Sequence, residues 1–384
     1  MSWVWEQKDW PDYRYTSETF TQRVNDFHLK SERLYGRVEA LPSADQTDAV
    51  VDLMLSEAIK TSAIEGEELD RESVRSSILN LIGADTTASL ARDDKALGAA
   101  SLMVDVRKHW DQLLSHELLG QWQSMVVVDQ PMSRTMKGAY RNDPSPMQIV
   151  SGAIGRHKVH YEAPPSDQVP DHMNRFLDWY NTTSPVNGTN PLPGPIRAGI
   201  AHVWFENIHP FDDGNGRVGR AISDHALSQS LGYPTLACLA TAIERNRKAY
   251  YQELENVGRG NLNVNPWLDF FIGAVDQAQE IAKQEVDFVL DKTRFYHKFQ
   301  GELNERQAKA VGRVFAEGTR GFEGGLTTKK YQSITKCSRA TAFRDLSELV
   351  EKGVLVQLPG GGRSTRYALG KVEATMPHGW GCDI

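Results

Sequence analysis

Apolar residues return every three or four positions through most of this chain, which is the spacing of helices with one buried face. Between Ala44 and Glu65, the residues Val51, Met54, Leu55, Ala58 and Ser62 share a face, and Gly66 stands where a C-cap glycine belongs. The same spacing predicts helices near 93–115, 171–180, 195–207, 216–231, 247–256 and 266–292, with Pro195 and Pro266 at first-turn positions. One stretch departs from it. Met147–Tyr161 carries two short β-prone runs around Gly152 and Gly155 and is bounded by Pro144, Pro146, Pro164 and Pro165, which predicts a β-hairpin. The loop Thr182–Pro195 is expected to be exposed. Beyond a helix near 303–315 and the pair Gly324-Gly325, two short helices (327–332 and 338–352) precede two strands, 354–358 and 365–369, with a glycine turn at 360–362. Helix-turn-helix followed by a hairpin is the layout of a winged helix. The expected class is mainly α.

Composition narrows the setting. The 384 residues are 40% hydrophobic and 24% charged, ordinary for a globular chain of two or three domains. The start, Met1-Ser2-Trp3-Val4-Trp5-Glu6, lacks the basic opening and apolar run of a signal peptide, and no stretch is apolar over a bilayer's width. Cys238, Cys337 and Cys382 form neither a disulfide framework nor a metal-binding pair, so a reducing cytoplasm and no membrane partner are expected. The net charge of −7 argues against general polyanion binding. It is unevenly spread: from Leu326 to Gly370 eight basic residues face three acidic ones.

The chemistry concentrates in His209-Pro210-Phe211-Asp212-Asp213-Gly214-Asn215-Gly216-Arg217-Val218-Gly219-Arg220, between two expected helices. Gly214 and Gly216 let backbone N–H groups approach an anion, and the helix N-terminus that follows adds its positive end. Arg217 and Arg220 lie three apart on one face and can reach a single phosphate chain. A carboxylate at Asp213 beside phosphates points to a bridging Mg²⁺. His209 is placed to take the proton of an incoming hydroxyl. Phe211 reads as an apolar anchor of the loop.

This string resembles the Fic family signature HxFx(D/E)GNGRxxR and matches every fixed position. The resemblance covers roughly 120–291 and implies a protein adenylyltransferase that moves AMP from ATP to a Ser, Thr or Tyr hydroxyl. By it, His209 is the base and Asp213 holds Mg²⁺. Gly214, Asn215 and Gly216 form the anion hole, Arg217 grips the α- and β-phosphates, and Arg220 meets the γ-phosphate. The hairpin resembles the family's target-docking flap, with Gln148, Ile149, Val150 and Val159 presenting the edge, and Tyr250 and Tyr251 resemble the aromatic pair bordering adenine. Thr61-Ser62-Ala63-Ile64-Glu65-Gly66 resembles the family's inhibitory motif (S/T)xxxE(G/N). It implies that Glu65 pairs with Arg220 and displaces the γ-phosphate.

The expected organisation is a helical region 1–112 bearing the inhibitory motif, a catalytic core 113–294, a winged helix 295–372 and a tail 373–384. The N-terminal segment with Trp3, Trp5 and Trp10 is expected to pack the inhibitory helix onto the core. Arg339 and Arg344, with Arg363 or Arg366 on the wing, would face DNA. Other readings stay open: a DNA-binding regulator whose core senses nucleotide, or a Fic enzyme that uses another nucleotide or removes AMP. The protein target is unnamed by the sequence, and a homodimer rests on family analogy alone.

Overall fold

The computed structural model describes residues 2–84, 93–128, 135–151, 158–360 and 365–370. The expected hairpin turn (152–157), the wing positions Gly361, Gly362 and Arg363, and the tail with Cys382 lie outside these described residues. The chain divides into two compact units, Met1–Lys283 and Gln284–Ile384.

The first unit opens with α1 (Thr21–Glu39), α2 (Ser43–Ile64), α3 (Arg71–Leu81), α4 (Asp94–Lys108) and α5 (His116–Val126). The single helix expected near 93–115 stops at Lys108, because Ser115 starts a new one: its side chain accepts the Leu118 N–H at 3.2 Å. A two-stranded antiparallel hairpin follows, β1 (Gln148–Ser151) and β2 (Lys158–Glu162), with a register shift between Ile149 and Val150. Then come α6 (Val169–Thr182), α7 (Gly194–Ile208), α8 (Asn215–Leu231), α9 (Leu239–Arg245), α10 (Arg247–Gly258) and α11 (Asn265–Lys298). The last of these crosses the boundary between the units.

All fifteen residues of α7 are buried, so this helix is the axis of the unit. A helix buried on every side marks such a position, and the one-face pattern gives way here. Gly199 permits close packing on α11: a β-carbon there would come 2.8 Å from Leu268 Cδ2 and 3.0 Å from the Phe271 ring. Helix α8 packs along α7, while α2 lies against α3, α4 and α9 and also meets α8. That arrangement brings the C-terminus of α2 to the N-terminal turns of α8.

The tryptophans near the N-terminus pack on the hairpin and on α7. Trp5 Nε1 donates to the Glu162 carbonyl at 2.8 Å and Trp3 sits edge-on to Tyr161, so both brace the base of the hairpin. Trp10 is buried against Trp204 of α7 and donates to His172. Indoles of this kind supply large contact area with one polar handle.

The second unit holds α12 (Glu305–Phe315), α13 (Thr328–Thr335), α14 (Arg339–Glu351) and the antiparallel pair β3 (Leu355–Gln357) and β4 (Tyr367–Leu369), to which Leu326 adds a bridge at Tyr367. Phe299, Val311, Phe315, Leu326, Tyr331, Leu346 and Leu349 share its core. Arg306 grips the buried Asp345 carboxylate at 2.9 and 3.1 Å, and Tyr331 donates to the same group at 2.9 Å. No helix among the described residues is long and apolar enough to cross a membrane.

Candidate active site

The loop 209–214 joins the two most buried helices of the first unit. His209 closes α7 in the left-handed region (φ 49°, ψ 61°), a conformation histidine adopts more readily than most residues. Gly214, at φ +88°, opens α8, and no side chain caps that helix. The N–H groups of its first turn therefore remain available to an anion. Asn215 is buried and spends both ends of its amide on Phe211, accepting its N–H at 2.9 Å and donating to its carbonyl at 2.8 Å. Its side chain clasps the loop, leaving its backbone N–H for the cradle. Phe211 is fully buried, as expected of an anchor.

Both motif arginines are buried, and both are already engaged by carboxylates. Arg220 Nη2 lies 2.6 Å from Glu65 Oε1, its Nε donates to Thr61 Oγ1 at 2.7 Å, and Nη2 also meets the Thr61 carbonyl at 3.0 Å. Burial alone would raise the Glu65 carboxyl, but the charge and hydrogen bond of Arg220, with help from Arg217, leave it below the ordinary value. Arg217 Nη1 lies 2.7 Å from Glu67 Oε2, a residue the sequence reading passed over. The same carboxylate accepts from Lys95 at 2.8 Å. Among the described residues Arg220 Nη1 and Arg217 Nε have no hydrogen-bond partner, so each guanidinium keeps a buried N–H in reserve.

His209 is the base candidate. Burial first and the Arg141 cation second push its imidazole down to about 4, so it is neutral near pH 7 and ready to accept a proton. Its Nδ1 stands 3.9 Å from Glu206 Oε2. Glu206 is pushed up to about 8 by burial and by Glu65, with Arg220 opposing, so it is largely protonated at neutral pH. Arg141 escaped the sequence reading. Its guanidinium donates to the carbonyls of His209 (2.8 Å), Pro164 (2.5 Å) and Ile208 (3.3 Å), holding the motif loop to the end of the hairpin.

Asp213 is more than half exposed, accepts the Gly214 N–H at 2.6 Å and sits 3.6 Å from Arg217 Nη2. One outward carboxylate beside the Arg217 guanidinium suits Mg²⁺, which takes one or two protein oxygens and completes its shell with water and, where one is bound, phosphate. Among the described residues no cluster of three or more His, Cys, Asp or Glu could hold an ion without such help.

The aromatic pair divides. Tyr250 is buried, and its hydroxyl is 2.8 Å from His202 Nε2 in the core. Tyr251 is 42% exposed and donates to the Ile64 carbonyl at 3.2 Å, at the end of α2, which leaves it as the aromatic with an open face. On the hairpin, all four residues of β1 are exposed, including Ile149 and Val150. Gln148 bonds Glu162 at 2.7 Å, and the Val159 carbonyl accepts from Arg259 at 2.7 Å. Ser151 meets His160 at 2.6 Å and His160 meets Glu255 at 2.7 Å, which pins the hairpin on α10.

Residues 113–227, which hold the hairpin and the whole motif, match the Fic/DOC family model. The chain carries a Fic domain. Residues 3–84, which hold Thr61, Glu65 and Glu67, match a domain of unknown function, DUF4172. A protein adenylyltransferase Fic of Culex quinquefasciatus is 27% identical over 158 residues, covering 40% of this chain and 27% of that protein. One of Drosophila yakuba is 29% identical over 142 residues, covering 36% of this chain and 26% of that protein. The chain thus spans about a quarter of the length of these curated relatives. A Fic family protein from Desulfovibrio desulfuricans G20 superposes with a TM-score of 0.51 at 21% identity, covering 94% of this chain and 98% of that one. A Fic domain containing signaling protein from Bacteroides thetaiotaomicron gives 0.50 at 18% identity over 69% of this chain and 97% of that one. The helical Fic fold is shared; the chemistry has to be argued from the site.

Proposed function

We propose that this protein transfers AMP from ATP to a hydroxyl of a protein target and that, as folded here, it is held off by Glu65. The observation that carries the reading is the arrangement at α8: an uncapped helix N-terminus, two buried arginines one turn apart, and a neutral His209 at the mouth of the same loop. Arg217 would bind the inner phosphates and Arg220 the outermost, with Asp213 holding Mg²⁺, whose contribution is charge neutralisation on the phosphates. His209 takes the proton from the target hydroxyl as its oxygen attacks the α-phosphorus, and pyrophosphate leaves. The protein's part is positioning and charge stabilisation. The exposed edge of β1 can align an extended target segment through main-chain hydrogen bonds. Glu65 occupies the outermost phosphate's partner, so the nucleotide is misdirected until it leaves.

The test is label transfer from α-³²P-ATP with Mg²⁺ by wild type, Glu65→Gly and Glu65→Gly/His209→Ala. Label on protein in the middle sample alone supports the reading; no label in any sample rejects it.

A second role attaches to the C-terminal unit. Its α14 exposes Arg339, Phe343 and Arg344 together, with Phe343 65% accessible, which supports reading α14 as the recognition helix of a winged helix. DNA binding there would show as affinity falling steeply with salt. The same face without salt dependence would be a protein-docking surface.

A further inference from the structure

Two carboxylates, not one, fill the phosphate-binding arginines. The chain geometry that places the second is local. The Gly66 N–H bonds the Ala63 carbonyl at 3.0 Å, the Glu67 N–H returns to the Ser62 carbonyl at 3.0 Å, and Gly66 sits at φ +82°. This is a left-handed helix cap of the Schellman kind, which turns the chain back over the helix end. Gly66 therefore does more than stop α2. The reversal at that glycine sends Glu65 to Arg220 and Glu67 to Arg217, two residues of one strand of chain onto two arginines one turn apart. Arg217 is 6% exposed in its side chain and its pair with Glu67 is as short as a charge-assisted hydrogen bond, 2.7 Å. Lys95, from the first turn of α4, holds the other oxygen of Glu67 at 2.8 Å and fixes the carboxylate in place.

We propose that Glu67 is a second lock on the nucleotide site, acting on the inner phosphates while Glu65 acts on the outermost. This rests on the reading above, in which a nucleoside polyphosphate lies with its phosphates over Arg217 and then Arg220. Arg217 stands nearer the helix N-terminus and the Gly214–Gly216 cradle, and Arg220 is about 4.5 Å further along the axis. A diphosphate that reaches Arg217 has to displace Glu67 and leaves the Glu65–Arg220 pair intact. A triphosphate that also engages Arg220 has to displace both. The two locks therefore differ in what they discriminate. Glu67 sets an affinity common to di- and triphosphates, and Glu65 sets the penalty paid by the triphosphate alone.

The experiment is calorimetric binding of ADP and ATP, with Mg²⁺ throughout, to the full-length wild type, Glu67→Gln, Glu65→Gln and the double variant. Thermal melts confirm that each is folded, and Glu67→Ala stands in if Glu67→Gln is not. Glu67→Gln is expected to tighten ADP and ATP by the same factor, about tenfold, which is about 1.4 kcal/mol. Glu65→Gln is expected to tighten ATP by a similar factor and to leave ADP within twofold of wild type. If Glu65→Gln gains ATP affinity while the Glu67 variants bind ADP as wild type does, the second lock is refuted and the nucleotide reading stands. If the folded double variant binds neither nucleotide, both are refuted together.

Discussion

A β-carbon on Gly216 would overlap the carboxylate of Glu65, so that side chain rests directly on the backbone of the first turn of α8. The same bare backbone is what an incoming phosphate needs. Gly216→Ala is therefore expected to push Glu65 aside without switching the enzyme on, because the new methyl group crowds the anion as well. Placed in the Glu65→Gly background, it should lower label transfer at least tenfold. Transfer by the single Gly216→Ala protein at the level of Glu65→Gly would show that the glycine serves the inhibitor alone.

In the proposed lock Thr61 shares the work of Glu65. Its hydroxyl and its carbonyl both accept from Arg220, at 2.7 and 3.0 Å, and hold the guanidinium turned toward α2. Thr61→Val keeps the shape and the carbonyl contact while removing the hydroxyl acceptor. A hydrogen bond to a charged group contributes about 1.5–3 kcal/mol, part of which the remaining contacts recover. Label transfer should rise roughly three- to tenfold over wild type and stay below that of Glu65→Gly. No change in rate at unchanged stability would remove Thr61 from the lock.

The acid side of the pH profile follows from the surroundings of His209. Its folded value, about 4, lies below the usual 6.5, so the neutral base persists as pH falls through the range where an ordinary histidine would charge. Glu65 is one of the groups that pull this value up, and its removal moves it further down. In Glu65→Gly, kcat/KM, which reports the free enzyme, is expected to hold level down to about pH 5. A fall centred near 6.5 would mean that His209 is not buried against Arg141 in the working enzyme.

How much of this was legible beforehand depends on whether the signal is local. The stretch from His209 to Arg220 announces itself because twelve adjacent residues supply base, cradle and cations. The α2 helix and its Gly66 stop were visible for the same reason. Four helices were not anticipated, and α9 shows one cause: seven residues are too few for a periodic pattern. Tyr250 and Tyr251 are adjacent in sequence, yet one points into the core and the other to solvent, a division that depends on packing against His202 and Trp267. Glu67 sits two residues beyond the inhibitory glutamate, but only the turn at Gly66 shows that it reaches Arg217. Arg141 had no local signal whatever, since its side-chain partners lie 23 to 68 positions away in sequence.

That last residue gives the prediction with two separable readouts. Arg141 is buried and ties the carbonyls of Ile208, His209 and Pro164 into one fork, while its own N–H bonds the Pro210 carbonyl at 2.9 Å. Arg141→Ala leaves three buried acceptors unmet and is expected to cost about 2–4 kcal/mol in stability, seen as a lower melting temperature. Arg141→Lys should recover little, since an ammonium has no planar fork with which to span three carbonyls. Loss of the cation also removes one of the forces that depress His209, so in the Glu65→Gly background the acid limb of kcat/KM should move to higher pH. A purely structural role would lower the melting temperature and leave that limb where it was. Movement of both ties the fork to the base as well as to the fold.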